Sequence, residues 1–472
     1  MSSHALVGLV AGLVAAPELH SVMVLRHGVV IAEGWAAPYT RERPHAMFSV
    51  SKSFTSTAIG FARAEGLLGL DDLVLDHFVD EAPVRPDENL RRMRVRDLLT
   101  MTTGHDVAPD DEVFGQADWV RGFLAQPVPR VPGTHFVYNT PASYMLSALV
   151  QRLTGERVLT YLTPRLFEPL GIVGATWEQS PSGVDVGGFG LSVTTEDLAC
   201  FGQLYLQDGR WDGRQVLPAG WAREATASQV VSGNGPAGDG PARDEPSSDW
   251  DQGYGFQFWR NREGGFRADG AFGQLSIVLP EQDMVVALTS AVPDMSVTFA
   301  LVRAHLRSVG AGAVPADPAT HAKLAGQLAA MRLVDTPTGS ATSPASVRIA
   351  GRTVRFGPNA IGLDDAVLEP GVDRDRLTVR AAGQSLTVDV GHERGLPARI
   401  PGASRSRAVE DALVSGVWTG VDEYTVAIRL LDSPLLVTAV ATFAGDDVLV
   451  RPSVNVSFDG PGLPVITGRV GG

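Results

Sequence analysis

The rhythm of apolar and polar positions changes along this chain. Ser21–Trp35 holds two β-branched apolar runs on either side of His27-Gly28, a pattern that predicts a β-hairpin. Val50–Glu65 carries apolar residues at helical spacing and ends at Gly66, which predicts a helix. Arg94–Thr103 predicts a short helix running into Gly104, and Pro141–Leu153 an amphipathic one ending before Gly155. Tyr254–Trp259, Gly273–Leu279 and Met284–Ser290 read as consecutive strands, closed by a helix over Ser296–Val309. Residues 232–249, rich in Gly, Pro, Ser and Asp, are expected to form a mobile surface loop.

After Gly310 the texture differs. Gly310–Pro318 is a small-residue linker, followed by a short helix expected over Ala319–Arg332. From Ser346 onward apolar and polar residues alternate in runs broken by Gly, Pro or Asp. Examples are Ser346–Ile349, Leu377–Arg380, Ser385–Val390, Tyr424–Leu431, Leu435–Phe443 and Asp447–Arg451. About eight such runs predict an antiparallel barrel or sandwich, of which a lipocalin-like barrel is the expected form. The expected organisation is a first domain over 1–310, a linker with a short helix over 311–345, and a β-domain over 346–472.

Composition narrows the function. The 472 residues are 44% hydrophobic and 19% charged, enough for two domains with ample cores. A net charge of −14 argues against nucleic acid and anionic membrane surfaces as partners. Cys200 is the sole cysteine, so no internal disulfide forms; within the apolar Leu198–Leu206 helix it is expected to be buried packing. Ala5–Ala16 is apolar but too short to span a bilayer, and no Lys or Arg precedes it as in a signal peptide. It is read as a helix packed on the core. A cytoplasmic location is expected, with export still compatible.

The histidines come no closer than seven positions (His20 and His27), so no short-spaced metal pair exists and no zinc site is expected. His105, just after Gly104, either lines the cleft or lies at the surface, the second being the expectation. Gly187-Gly188-Phe189-Gly190 lacks the Lys-Ser/Thr that follows a phosphate loop, and Gly-x-Ser-x-Gly is absent. No cofactor is expected.

The sharpest chemistry lies at Ser49-Val50-Ser51-Lys52. Residues three apart at the start of a helix share one side of its first turn, so an amine stands beside a hydroxyl. A partly desolvated Lys is neutral enough to take the Ser proton, and the helix N-terminus favours oxyanion charge at the same point. Downstream come, in order, Leu98–Gly104 (LLTMTTG), Pro132–Thr140 (PGTHFVYNT), Gly187–Ala199 (GGFGLSVTTEDLA) and Asp269–Gln274 (DGAFGQ), the last leading into a strand.

This ordered set, over roughly residues 1–310, resembles the serine β-lactamase and penicillin-binding-protein superfamily. Within it the chain is most similar to the class C-like branch, with its family VIII esterases, D-aminopeptidases, 6-aminohexanoate-dimer hydrolases and transacylases. The resemblance implies an α+β fold: an antiparallel sheet covered by helices, with an all-α insertion carrying Tyr138. It implies Ser49 as acyl-accepting nucleophile, Lys52 as its base and Tyr138 as partner in proton transfer. The second motif is usually Tyr-x-Asn and here reads Tyr138-Asn139-Thr140, so either Asn139 or Thr140 is left to hydrogen-bond the acyl chain.

The third motif is usually Lys-Thr-Gly or His-x-Gly and here reads Ala268-Asp269-Gly270, without the cation. The backbone N–H of Ala271 remains to pair with that of Ser49 as an oxyanion hole. Asp269 either replaces the lost motif residue or faces solvent; Arg267, two positions earlier, points to the opposite face from Ala268. The implied activity is a metal-free serine hydrolase forming an acyl-enzyme on a small ester or amide. The alternatives are a transacylase using an amine or alcohol acceptor, and, in another class, a non-catalytic binding protein on the same fold. Without a cation in the third motif, weak or absent β-lactamase activity is expected.

Overall fold

A computed structural model describes the chain except for residues 1–2, 17, 233–247, 263, 311, 313–314, 334–335, 403–408, 459 and 472. The chain divides into two compact units, Met1–Met331 and Arg332–Gly472.

The first unit is built on a six-stranded antiparallel sheet. Its strands run Val29–Trp35, Leu19–Arg26, Met284–Ser290, Gln274–Leu279, Phe266–Gly270 and Trp259–Arg260. The first two pair because His27 and Gly28 both take positive φ (51° and 73°), the geometry a two-residue hairpin turn requires. Met284–Ser290 is buried at every position, as a central strand covered on both faces must be. The helix Thr195–Leu206 lies on one face, where a Cβ at Gly202 would meet Ser276 and Val285. Reciprocal bonds start this helix: Thr194 Oγ1 accepts from Asp197 N and Asp197 Oδ2 from Thr194 N. On the other face lies the helix Ser296–Leu306, against which Ser3–Ala15 packs through Gly8 and Gly12.

Between Trp35 and Thr195 the chain forms a largely helical part that holds Ser49, Lys52 and Tyr138. The helix Ser51–Ala64 is buried from Ser51 to Ala62, so its many hydroxyls need internal partners. Ser53 Oγ donates to Gln257 O at 2.7 Å, Thr55 Oγ1 to Gly187 O at 2.8 Å, and Ser51 Oγ to Phe48 O at 2.6 Å. Gly60 leaves room for the Trp221 indole, whose ring atoms would lie 2.5 Å from an added Cβ.

The second unit is a ten-stranded meander that curls until its ends meet. Thr353–Phe356 pairs with Ile466–Val470, and Gly391 reaches Ser415, so the sheet closes into a barrel. Val390, Val414, Trp418, Tyr424 and Phe443 fill it. At the seam Tyr424 Oη donates to buried Asp375 Oδ2 at 2.6 Å, and His392 Nε2 stands 3.0 Å from Asp375 Oδ1.

Several local expectations are corrected. Ser346–Ile349, expected as a strand, lies in a short helix, Pro344–Ile349, because Ser343 caps Ala345 N and Pro344 presets the first turn. Of Tyr254–Trp259 only the end joins the sheet, at Trp259–Arg260. Tyr254 bridges Val230 instead, and Gln257 turns through φ 65°. The short helix near Arg94 covers only Val95–Leu99. The expected mobile loop over 232–249 lies outside the described residues except at its ends, where Ser232 and Asp249 are buried.

Candidate active site

Ser49 sits in a single helical turn, Phe48–Val50, immediately before the helix Ser51–Ala64. Phe48 holds φ at 47°, a strained value for a residue with a side chain, so the chain makes a sharp elbow at the serine. Lys52, one turn on, is 1% exposed. Its Nζ lies 3.0 Å from Ser49 Oγ, 2.8 Å from Gly188 O and 3.4 Å from Thr140 Oγ1. Burial penalises the ammonium and lowers the Lys52 pKa to about 7, against the opposing pull of Asp110.

Tyr138 closes the cluster. Its hydroxyl interacts with Ser49, and Lys52 Nζ stands 4.9 Å from the centre of its ring. The ring stacks on Trp259 at 5.5 Å and meets Tyr254 edge-on, which fixes its direction. Burial raises the phenol pKa above its usual value, so the group remains protonated across the physiological range.

The two candidates after Tyr138 separate. Asn139 is fully buried and caps the helix Thr140–Thr154, its Oδ1 accepting from Ala142 N at 3.1 Å and its Nδ2 donating to Thr103 Oγ1 at 3.2 Å. Its amide is therefore taken up by Thr103 and the start of this helix. Thr140 faces Lys52.

The strand Phe266–Gly270 presents two faces. Gly270 presses on the serine elbow: an added Cβ would lie 2.3 Å from Met47 O and 3.2 Å from Val50 N. This brings Ala271, the next residue, beside the Ser49 turn. Phe272 has φ 63°, and its ring meets that of Phe48 edge-on at 5.5 Å. Asp269 points the other way and is buried, which corrects the solvent-facing alternative. Its Oδ2 accepts from Arg267 Nε at 2.7 Å and from Trp250 Nε1 at 3.0 Å. The pairing follows from the strand itself, since residues two apart share a face.

Other expectations fail on burial. His105 is 3% exposed rather than on the surface; its Nδ1 meets Thr103 Oγ1 at 2.8 Å, and burial lowers its pKa to about 4. Cys200 is only partly buried, with its thiol pKa pushed up to about 12 by burial.

Three contributors escaped the sequence reading of the site. Gly188 supplies the carbonyl that holds Lys52, and an added Cβ would lie 2.6 Å from Thr140 Cγ2. The glycine run was visible, but its role was not. Gln257 ties the helical part together, donating to Leu98 O and Leu99 O and accepting from Ser143 Oγ. Asp110 acts electrostatically on both Lys52 and Tyr138. Neither has a local sequence signal.

An elbow serine, a buried lysine and a tyrosine thus converge beside a strand end. Residues 8–310 match the Beta-lactamase family, and the chain belongs to it. Members of this family are serine hydrolases and acyl-transferases. The chain is 26% identical over 291 residues to the 6-aminohexanoate-dimer hydrolase of Paenarthrobacter ureafaciens, covering 58% of this chain and 72% of that protein. It is 25% identical over 177 residues to Protein flp of Staphylococcus aureus strain MW2, covering 34% of this chain and 35% of that one. Among solved structures, the fold is similar to that of EstCE1, a hydrolase with promiscuous acyltransferase activity. The TM-score is 0.52 at 19% identity, over 64% of this chain and 99% of that one. It is also similar to that of a D-stereospecific amidohydrolase from Streptomyces sp., with TM-score 0.50 at 17% identity, over 65% of this chain and 99% of that one. No described helix is long and apolar enough to cross a membrane.

Proposed function

We propose that this protein is a serine hydrolase that acts through an acyl-enzyme on a small, neutral ester or amide. The observation that carries the reading is Lys52 Nζ, 3.0 Å from Ser49 Oγ, with a pKa lowered to about 7. An amine of which about half is unprotonated at neutrality accepts the Ser49 proton as Oγ attacks the substrate carbonyl. Gly188 O and Thr140 Oγ1 orient the Nζ during this step. The carbonyl oxygen gains the electron pair as a tetrahedral oxyanion, which the N–H groups of Ser49 and Ala271 receive. When the oxyanion collapses, the bond to the leaving group breaks. The proton held by Lys52 reaches that group through the Tyr138 hydroxyl, leaving acyl-Ser49. Water, deprotonated by the same relay, then releases the carboxylic acid and restores Ser49.

The test is a fluorophosphonate probe read by intact-mass spectrometry on the wild type and on Ser49→Ala. A single adduct on the wild type and none on the folded Ala variant is the expected outcome. An adduct on both would remove Ser49 from its role, and an unreactive wild type would favour a binding protein that has lost turnover.

A further inference from the structure

On the other side of the strand Phe266–Gly270 from Ser49 lies a cavity of about 420 Å³, within the size range of small-molecule sites. It opens between the strands Phe266–Gly270 and Gln274–Leu279 and the helix Ser296–Leu306. Strand alternation explains its lining. Ala268 and Ser276 pair on the face of the helix Thr195–Leu206, so Arg267 and Ile277, which also pair, face the cavity. The helix adds Phe299, Val302 and Arg303, spaced to share one side.

Two chemistries meet there. Ile277, Leu279, Phe299 and Val302 make an apolar floor. Arg262, Arg267, Arg303 and Arg307 stand on its walls against Asp249 and Glu281. In a chain of net charge −14, this is a locally cationic place. Two of its arginines already gather around a carboxylate: Arg303 Nη1 donates to Asp249 Oδ1, and Arg262 Nε lies 3.7 Å from the same oxygen. Arg267 Nη2 donates to the backbone carbonyl of Asp249 at 3.0 Å, and its Nε to Asp269 Oδ2 at 2.7 Å. Arg267, 1% exposed, also covers the Phe299 ring at 4.4 Å, closing the apolar floor beneath the charges. A guanidinium has more donors than one carboxylate oxygen uses, and its planar fork matches a second carboxylate. Asp249 and Glu281 in the lining, with Asp269 paired to Arg267, limit the positive excess, which favours a monoanion over a doubly charged phosphate.

We propose that this cavity is a second binding site, taking a small organic carboxylate with an apolar body. The acid group meets Arg303 and Arg307, and the body lies on Phe299, Val302 and Ile277.

The test is calorimetric titration of the full chain with 3-phenylpropionate, 3-phenylpropanol and acetate. One-to-one binding of phenylpropionate is expected, at least roughly tenfold tighter than either the alcohol or acetate. Arg307→Gln, at an exposed position, should weaken it roughly tenfold, and Val302→Trp should abolish it by filling the floor. Circular dichroism establishes that each variant folds. If Val302→Trp does not, Arg307→Gln decides alone. Absence of binding, an alcohol that binds as tightly as the acid, or binding unchanged in Arg307→Gln would overturn the proposal; the last would put the carboxylate elsewhere, as in the Ser49 cleft.

Discussion

Lys52 concentrates the energetics of the site in one side chain. Burial lowers its pKa to about 7, so the free amine appears as pH rises through that value. The acylation rate, kcat/KM on a small ester, should therefore climb through about pH 7 and level off above it, because the base is active only when unprotonated. Tyr138, with its pKa raised, contributes no fall below its ordinary range. The charge of Asp110 raises the Lys52 pKa, so Asp110→Asn should move the rising limb to lower pH. A pH–rate profile on both proteins checks the sign. The third motif makes a second residue-scale prediction. Ala268 is 2% exposed and offers no cation, while the neighbouring Asp269 is already paired with Arg267. A substrate carboxylate gains no charged hydrogen bond at this position. A chromogenic cephalosporin should be hydrolysed slower than a p-nitrophenyl ester by on the order of 100-fold, the upper worth of such a bond.

At the scale of elements, the geometry of the proposed oxyanion hole depends on how closely one strand end meets one elbow. Gly270→Ala would put a methyl 2.3 Å from Met47 O, backbone against backbone, with no flexible side chain to yield. The variant should stay folded, as read by thermal melting, and lose about 10²- to 10³-fold in kcat, the cost of misplacing an oxyanion donor. Wild-type turnover would mean that Ala271 takes no part. Elements with a local signal were legible in the sequence. His27-Gly28 marked a hairpin, Gly155 a helix end, and Ser49-x-x-Lys52 a helix start with the amine beside the hydroxyl. What the sequence hid is set by tertiary contact. Asn139 and Thr140 are chemically interchangeable as candidates until the helix they begin assigns one as cap and turns the other to Lys52. Ser346–Ile349 alternates like a strand, but the Ser343-Pro344 start decides for a helix. Asp110 and Gln257 lie far from the motifs they serve, and only folding brings them near.

At the scale of the whole molecule, each unit has its own core, and Ser49, Lys52, Tyr138 and Gly270 belong to the first. Its boundary lies at Met331 because Pro318–Ala329 packs on Ser3–Ala15. A chain ending at Met331 should remain folded and turn over a small p-nitrophenyl ester within about tenfold of the full protein, since a unit with its own core can fold alone. Circular dichroism with steady-state kinetics checks it. A folded truncation without any turnover would mean that the barrel lends an essential group.

The burial of Lys52 also bears on the protein as a material. The chain has two lysines, and the other, Lys323, is exposed. Amine-directed reagents that stay outside the fold therefore find a single side-chain target, on a helix distant in sequence from every catalytic candidate. An N-hydroxysuccinimide dye or a tether to a solid support should attach at Lys323 and spare Lys52, leaving the proposed turnover of a small ester unchanged on the support. Peptide mapping after labelling would read the site directly, and a tag on Lys52 would show that the cleft opens far enough to admit the reagent.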